Sequence, residues 1–295
     1  MIEVSLGVIA ATVFKKRLGT MLNLSHFFYG VGSIFAPIAS VGIMSMRFGG
    51  QLLSWRYVYL IILSCAFIPL IPTLIGRLAK QNGEKKNTGY SVILKKPMLW
   101  LIILVISLGV LCELGTGSWL VIYLERARSF SSENAALALT LFFVGFTLSR
   151  LLIGPLADKI GFVNTLVIVT AFTGCVLVVG VLLGDLGVAF VVATGMGVAP
   201  IYPTVMALIA KLFPDEIDIA ITVVATSLGL FLVIANMLLG GLINQMRVVF
   251  TNIYGDAGIG MAYSSGILFL GICGFGSFIA AIILRQKLKK SNQLV

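Results

Sequence analysis

Apolar residues in this chain gather into runs broken by short polar or basic stretches. Each run is near the ~20 residues that a helix rising ~1.5 Å per residue needs to cross hydrocarbon. Eight runs qualify: Leu24–Met46, Tyr57–Gly76, Met98–Tyr123, Ala135–Gly154, Thr165–Gly184, Leu186–Ala210, Ile219–Ile243 and Ile259–Leu284. None alternates with period two, so the lipid-facing strands of a barrel are not expected. A further run, Met1–Phe14, reaches only about 21 Å as a helix and reads as the second half of a helix that starts upstream. Glu3 lies early in that run and Lys15, Lys16 and Arg17 follow it, the reverse of a secretory leader. The pattern predicts an all-α membrane bundle of about eight full spans and a partial N-terminal helix.

Composition agrees with that solvent. Of the 295 residues 59% are hydrophobic and 11% charged, against about 25% charged in a soluble domain. The net charge of +10 would suggest nucleic acid in a soluble chain, but the basic residues sit between apolar runs and form no continuous face. No nucleic-acid partner is expected, and the lipid bilayer is the expected surroundings. Cys65, Cys112, Cys175 and Cys273 all lie within apolar runs without metal-ligand spacing, and His26 stands alone, so neither metal nor cofactor is expected.

The basic residues also orient the chain. Lys15–Arg17, the 77–96 segment, Lys159, Lys211 and the tail after Arg285 fall on one side of the alternating spans. Arg47, Arg56, Arg126, Arg128 and Arg247 fall on the other. The positive-inside rule then places the richer side and the C-terminus in the cytoplasm, for a multi-pass protein of the plasma membrane. Residues 77–97, polar and Lys-rich, read as a cytoplasmic linker. It parts 1–76, a remnant of an N-terminal six-helix half holding its fourth to sixth helices, from a six-helix half at 98–284 and a cytoplasmic tail at 285–295.

Four short patterns carry chemistry. Between the runs 135–154 and 165–184 stand Arg150, Gly154, Asp158, Lys159 and Gly161. Glycines permit close backbone approach, and an aspartate can settle at a neighbouring helix N-terminus. Such a loop can latch two helices together on the cytoplasmic side, with Arg150 snorkelling to that face or pairing with Asp158. Gly195, Gly197, Pro200 and Pro203 interrupt an uncharged run, which is tolerated where protein or a cavity satisfies the freed carbonyls. Glu113, with Gly115, Gly117, Trp119 and Tyr123, and the early stretch with Glu3, Asn23, His26 and Gly30 complete the set.

The first of these resembles the G-x-L-a-D-R/K-x-G loop of the major facilitator superfamily, in the copy between its eighth and ninth helices. Phe162, Val163 and Asn164 stand where the family usually continues with basic residues. The other three are similar, in order, to the tenth, seventh and fourth-to-fifth helices of the fucose-permease-like branch of sugar:proton symporters. The resemblance begins at the fourth helix and implies that roughly the first three helices lie outside this chain. It also implies a proton-coupling role for Glu3, at the position of that branch's fourth-helix glutamate.

Depth alone marks the acidic residues. An ionised carboxylate at mid-membrane is costly. Glu113 follows 15 apolar residues, Met98–Cys112, which sets it about 22 Å from the cytoplasmic end; Glu3 lies about 18 Å in. Both are candidate proton sites. His26, Asn23, Trp119, Tyr123, Tyr202 and Asn236 are candidates for a polar solute cavity, an aromatic belt being the alternative for Trp119 and Tyr123 and a helix–helix hydrogen bond for Asn236. The helices at 1–14, 98–123 and 186–210 are expected to line it, while 57–76, 165–184 and 259–284 face lipid. No phosphate-cradling loop or nucleophile constellation suggests an enzyme. The leading expectation is secondary transport of a small polar solute, a monosaccharide by the branch resemblance, driven by proton symport with alternating access in a monomer. Efflux of a drug-like solute by antiport, or a truncated fragment that transports nothing, are the alternatives.

Overall fold

The computed structural model describes Ile9, Val13, Phe14 and residues 16–65, 67–68, 70–75 and 89–292. Two compact units are present, 1–30 with 88–295 and, by itself, 31–87. Glu3 and the core of the 77–97 segment lie outside the described residues.

Helix α1 (Leu18–Ser45) begins in the first unit and continues into the second. The second unit then holds a two-residue hairpin, β1 (Arg47–Phe48) and β2 (Gln51–Leu52), paired antiparallel. Its turn is Gly49–Gly50, both at positive φ (62° and 82°), the backbone that a two-residue hairpin turn requires and glycine supplies. The run Tyr57–Gly76 is not one span among the described residues. It contains α2 (Trp55–Cys65) and the short α3 (Leu70–Ile75), neither long enough to cross hydrocarbon. Between them the described residues Phe67 and Ile68 form a turn, Phe67 N donating to Ser64 O (3.1 Å) and Ile68 N to Cys65 O (3.1 Å).

In the first unit a short α4 (Tyr90–Leu94) precedes α5 (Pro97–Arg128), α6 (Ser132–Ile160) and α7 (Phe162–Leu182). Next come α8 (Val188–Val198), α9 (Ile201–Leu212), α10 (Ile217–Tyr254) and α11 (Ala257–Lys290). Counting α8 and α9 as one interrupted span, 184–212, six helical segments among the described residues are long and apolar enough to cross a membrane. Their ends follow ordinary rules. Pro97 opens α5 at its first turn, where a missing N–H costs nothing. The Ser131 hydroxyl caps α6 by accepting from Asn134 N (3.3 Å). Gly161, at φ 88°, both ends α6 and starts α7, a conformation that favours glycine.

The interruption between α8 and α9 is where sequence chemistry and packing meet. In a continuous helix each N–H reaches the carbonyl four residues back. Pro200 therefore deprives the Met196 carbonyl of its donor, and Pro203 deprives that of Ala199. Both carbonyls are claimed by consecutive residues of α6: Ser149 Oγ donates to Met196 O (2.6 Å) and Arg150 Nε donates to Ala199 O (3.1 Å). Glycines let α6 and α7 come close enough. A Cβ on Gly195 would run into the Phe142 carbonyl, and one on Gly197 into the Thr173 hydroxyl.

The pairing makes a quantitative prediction. Ser149→Ala should orphan the Met196 carbonyl and destabilise the protein by about 1–3 kcal/mol, read as a lower melting temperature in detergent. In a Pro200→Ala background the helix regains its own N–H, so the same substitution should cost much less. Equal losses in the two backgrounds would disprove the pairing.

Candidate functional site

Helices α1 and α6 run against each other as an antiparallel seam, with contacts at four levels. At one end the Asp158 carboxylate accepts from Gly19 N (2.8 Å), Thr20 N (2.9 Å) and Thr20 Oγ1 (2.6 Å). These amides belong to the first turn of α1, whose N–H groups have no partner within the helix, so a carboxylate there satisfies donors and opposes the positive end of the dipole. One turn on, the backbones nearly touch: a Cβ on Gly154 would lie 3.0 Å from Asn23 Cβ and 3.3 Å from Gly19 O. At the next level Arg150 Nη1 donates to the His26 carbonyl. The last level sets Thr147 against Gly30. The residue numbers at each level sum to nearly the same value, as a straight antiparallel pair requires.

The third level opens into a cavity of about 160 Å³, lined by His26, Tyr29, Val110, Glu113, Leu114, Arg150, Tyr202, Leu228 and Leu232. Five helices supply this lining: α1, α5, α6, α9 and α10. Helices α7 and α11 supply none of it. The polar groups come from four helices. His26 and Tyr29 share a face of α1 at i and i+3, and Tyr202 follows Pro200 at the start of α9. The His26 and Tyr202 rings meet edge to face at 5.2 Å. His26 is 7% exposed, and its Nε2 has no hydrogen-bond partner among the described residues. Arg150 is only 3% exposed; its guanidinium lies 4.2 Å from the Phe146 ring centre and 5.7 Å from that of Tyr29, within cation–π range.

Placement therefore divides the sequence candidates. Glu113, His26 and Tyr202 come together. Arg150 joins them, which corrects the expectation that it snorkels to a membrane face or pairs with Asp158. Eight residues separate it from Asp158, about 12 Å along the helix, and the freed Ala199 carbonyl holds it inside. Asn23 is buried in the seam, donating to Gly19 O of its own helix (2.9 Å). Asn236 donates to Leu232 O (2.9 Å) on its own helix and does not line the cavity. Tyr123 is fully buried among core residues, its hydroxyl accepting from Arg128 Nε (3.0 Å); Arg128, five residues on, captures it. Trp119 packs near Tyr263, with ring centres 6.2 Å apart. Neither Trp119 nor Tyr123 lines the cavity. Lys159 is exposed beside the Asp158 contact. The sequence reading missed Tyr29, though its spacing from His26 could have shown it, and Thr20 as a ligand of Asp158.

The comparisons with known proteins come to the same fold. No curated protein matches the chain. Among solved structures it is similar to FucP, described as a Major Facilitator Superfamily transporter in the outward conformation, at 15% identity and a TM-score of 0.67. That match covers 90% of this chain and 68% of FucP. A second structure, of a variant of the E. coli fucose:proton symporter FucP, is similar at 15% identity and a TM-score of 0.66, with the same coverage. The sequence profile of the Major Facilitator Superfamily matches residues 1–216 and 123–293. With its long apolar helices and that match, the chain is a multi-pass helical membrane protein that belongs to the Major Facilitator Superfamily.

Proposed function

We propose that the chain carries a small polar solute of the monosaccharide class across the plasma membrane by proton symport with alternating access. The observation that carries this reading is the cavity itself. A carboxyl (Glu113), a guanidinium (Arg150), an imidazole (His26) and two phenols (Tyr29 and Tyr202) converge from otherwise apolar helical spans. Polar groups are costly at membrane depth and mark solute or ion pathways when they cluster. Aromatic rings and hydrogen-bonding side chains suit a hydroxylated solute, and the likeness to a fucose:proton symporter supports that class. The seam at Asp158 serves as the cytoplasmic latch: it ties α1 to α6 in one state and must part for the cavity to open on that side. Glu113 and Glu3 are the proton sites of this reading, and the basic-rich side with the C-terminus is cytoplasmic.

Flux measurements test the direction. In proteoliposomes with an imposed pH gradient, acid outside, a labelled monosaccharide should accumulate inside. Accumulation should collapse with a protonophore. Movement of solute against the inward proton flow would indicate antiport instead.

Asp158→Asn keeps the shape but weakens the charged contact with the first turn of α1. It should raise cytoplasmic accessibility of a cysteine placed in the seam, with little change in melting temperature. Unchanged accessibility with unchanged transport would reduce Asp158 to a helix cap.

The two carboxyls should separate in their effects. Glu3→Gln imitates the protonated form, so exchange between equal pools should survive while pH-driven accumulation fails. Glu113→Gln keeps an acceptor but loses the charge, and should weaken solute binding itself. A Glu3→Gln protein that still concentrates solute with a normal dependence on pH would move the proton site to Glu113.

A further inference from the structure

Helix α5 ends on Arg128, and its own protein partners already fix that side chain. Nε donates to the Tyr123 hydroxyl (3.0 Å) and Nη2 to the Val181 carbonyl (3.0 Å). Val181 stands in the last turn of α7, where carbonyls have no donor further along the helix, so the arginine caps a second helix. A guanidinium carries five N–H donors. Two are used here, and the others have no protein acceptor among the described residues. No carboxylate pairs with Arg128 among those residues either; Asp185, just past α7, is exposed and forms no ion pair with it. A fixed cation with spare donors is left at one end of the bundle.

Arg128 lines a cavity of about 380 Å³ between the ends of α5, α7 and α10 and the first turns of α11. Ser264 and Ser265 line it too. Their hydroxyls donate to the Gly260 and Met261 carbonyls (2.9 Å each), which the helix already supplies with the N–H groups of the same serines. Either hydroxyl can therefore turn to a ligand without leaving a carbonyl bare. Phe250, Met261 and Leu268 add apolar wall, and Leu182, Leu186 and Ile272 are exposed on the neighbouring surface of α7 and α11. Helix length sets the depth. At 32 residues α5 is about 48 Å long, well beyond the ~30 Å of hydrocarbon, so its ends reach the headgroup layers.

We propose that this cavity is a phospholipid site, in the leaflet at the opposite end of the bundle from Lys159 and Lys211. Arg128 takes the headgroup phosphodiester, whose unesterified oxygens match the planar fork of a guanidinium. The two serine hydroxyls donate to the same group, and an acyl chain runs down α11 over Leu268 and Ile272 toward mid-membrane. The occupant is a lipid rather than a free anion because the wall is mixed. A phosphate ion would leave the apolar part of it wet, whereas a lipid covers that part with its glycerol and chains. Basic pockets between membrane helices hold headgroups by the same chemistry. The bound molecule bridges the ends of α5 and α11, independently of what the solute cavity carries.

Native mass spectrometry of the full chain in detergent tests the site. The chain is titrated with dioleoyl phosphatidylglycerol, dioleoyl phosphatidylethanolamine, dioleoylglycerol or inorganic phosphate, and the bound molecules are counted. At least one of the two phospholipids should be retained and should raise the melting temperature. Dioleoylglycerol has the chains without the phosphate and should do neither. Arg128→Gln should need about tenfold more phospholipid for the same occupancy, the scale of one lost hydrogen-bonded charge contact. Because Arg128 also caps α7, the double variant Ser264→Leu with Ser265→Leu gives a second reading. It fills the cavity, leaves both anchors of Arg128 in place, and should lower retention by a similar factor. Dioleoylglycerol held as well as phospholipid would make the cavity an apolar groove and overturn the proposal. Inorganic phosphate that stabilises the chain as much as phospholipid does would overturn the lipid assignment. Undiminished phospholipid occupancy in the double serine variant, or in a folded Arg128→Gln protein, would overturn the site itself.

Discussion

Inside a bilayer a backbone carbonyl that loses its helical donor has no water to turn to, and the architecture around the α8–α9 break follows from that constraint. Two prolines free two carbonyls, and two consecutive residues of one neighbouring helix supply the missing donors. Because one donor is an arginine, a positive charge is carried to the middle of the bundle and held there, 3% exposed. That charge then shapes its surroundings. Phe146 and Tyr29 offer ring faces, the His26 carbonyl accepts a bond, and a cavity containing Glu113 lies alongside. The polar centre is thus a consequence of repairing a helix.

The seam between α1 and α6 applies the same rule at a helix end. The first-turn amides of α1 are without helical partners by construction, and the Asp158 carboxylate reaches them from another helix. Between this end and the arginine the two backbones are pressed together at Gly154, where a side chain would have no room. Dispersion and small-residue packing hold helices together in lipid, where no hydrophobic drive acts between them. The polar contacts at either end set the register that this packing alone would leave loosely defined.

Much of this was legible in the sequence, and unevenly so. The apolar runs from Met98 onward give the helices of the first unit, because a 20-residue apolar stretch has few other uses. Asp158 was readable as a partner for a helix N-terminus, and the 195–203 segment as a break that needs outside donors. The donors themselves were not readable: Ser149 and Arg150 lie about fifty residues earlier in the chain, and a lone arginine near a helix end fits a snorkelling side chain equally well. Tyr123 shows the opposite failure. It stood among the cavity candidates, yet Arg128, five residues on, donates to its hydroxyl and the ring is buried in the core. The run Tyr57–Gly76 counted as one span by composition, and hydropathy does not register the turn at Phe67–Ile68 that separates its two helices. The Gly49–Gly50 hairpin turn is marked in the sequence only by the dipeptide, since strands of two residues are too short to show an alternating pattern.

The adjacency of Ser149 and Arg150 has a mechanical meaning. Neighbouring residues on a helix point about 100° apart, so the two donors grip the broken segment from two directions. Any roll or slide of α6 past it would strip both carbonyls at once. Piecemeal slippage at that boundary is therefore blocked, and α6, α8 and α9 should travel as a single stiff wedge. Whatever pivot the molecule uses must lie along some other boundary, where contacts part without leaving bare backbone behind.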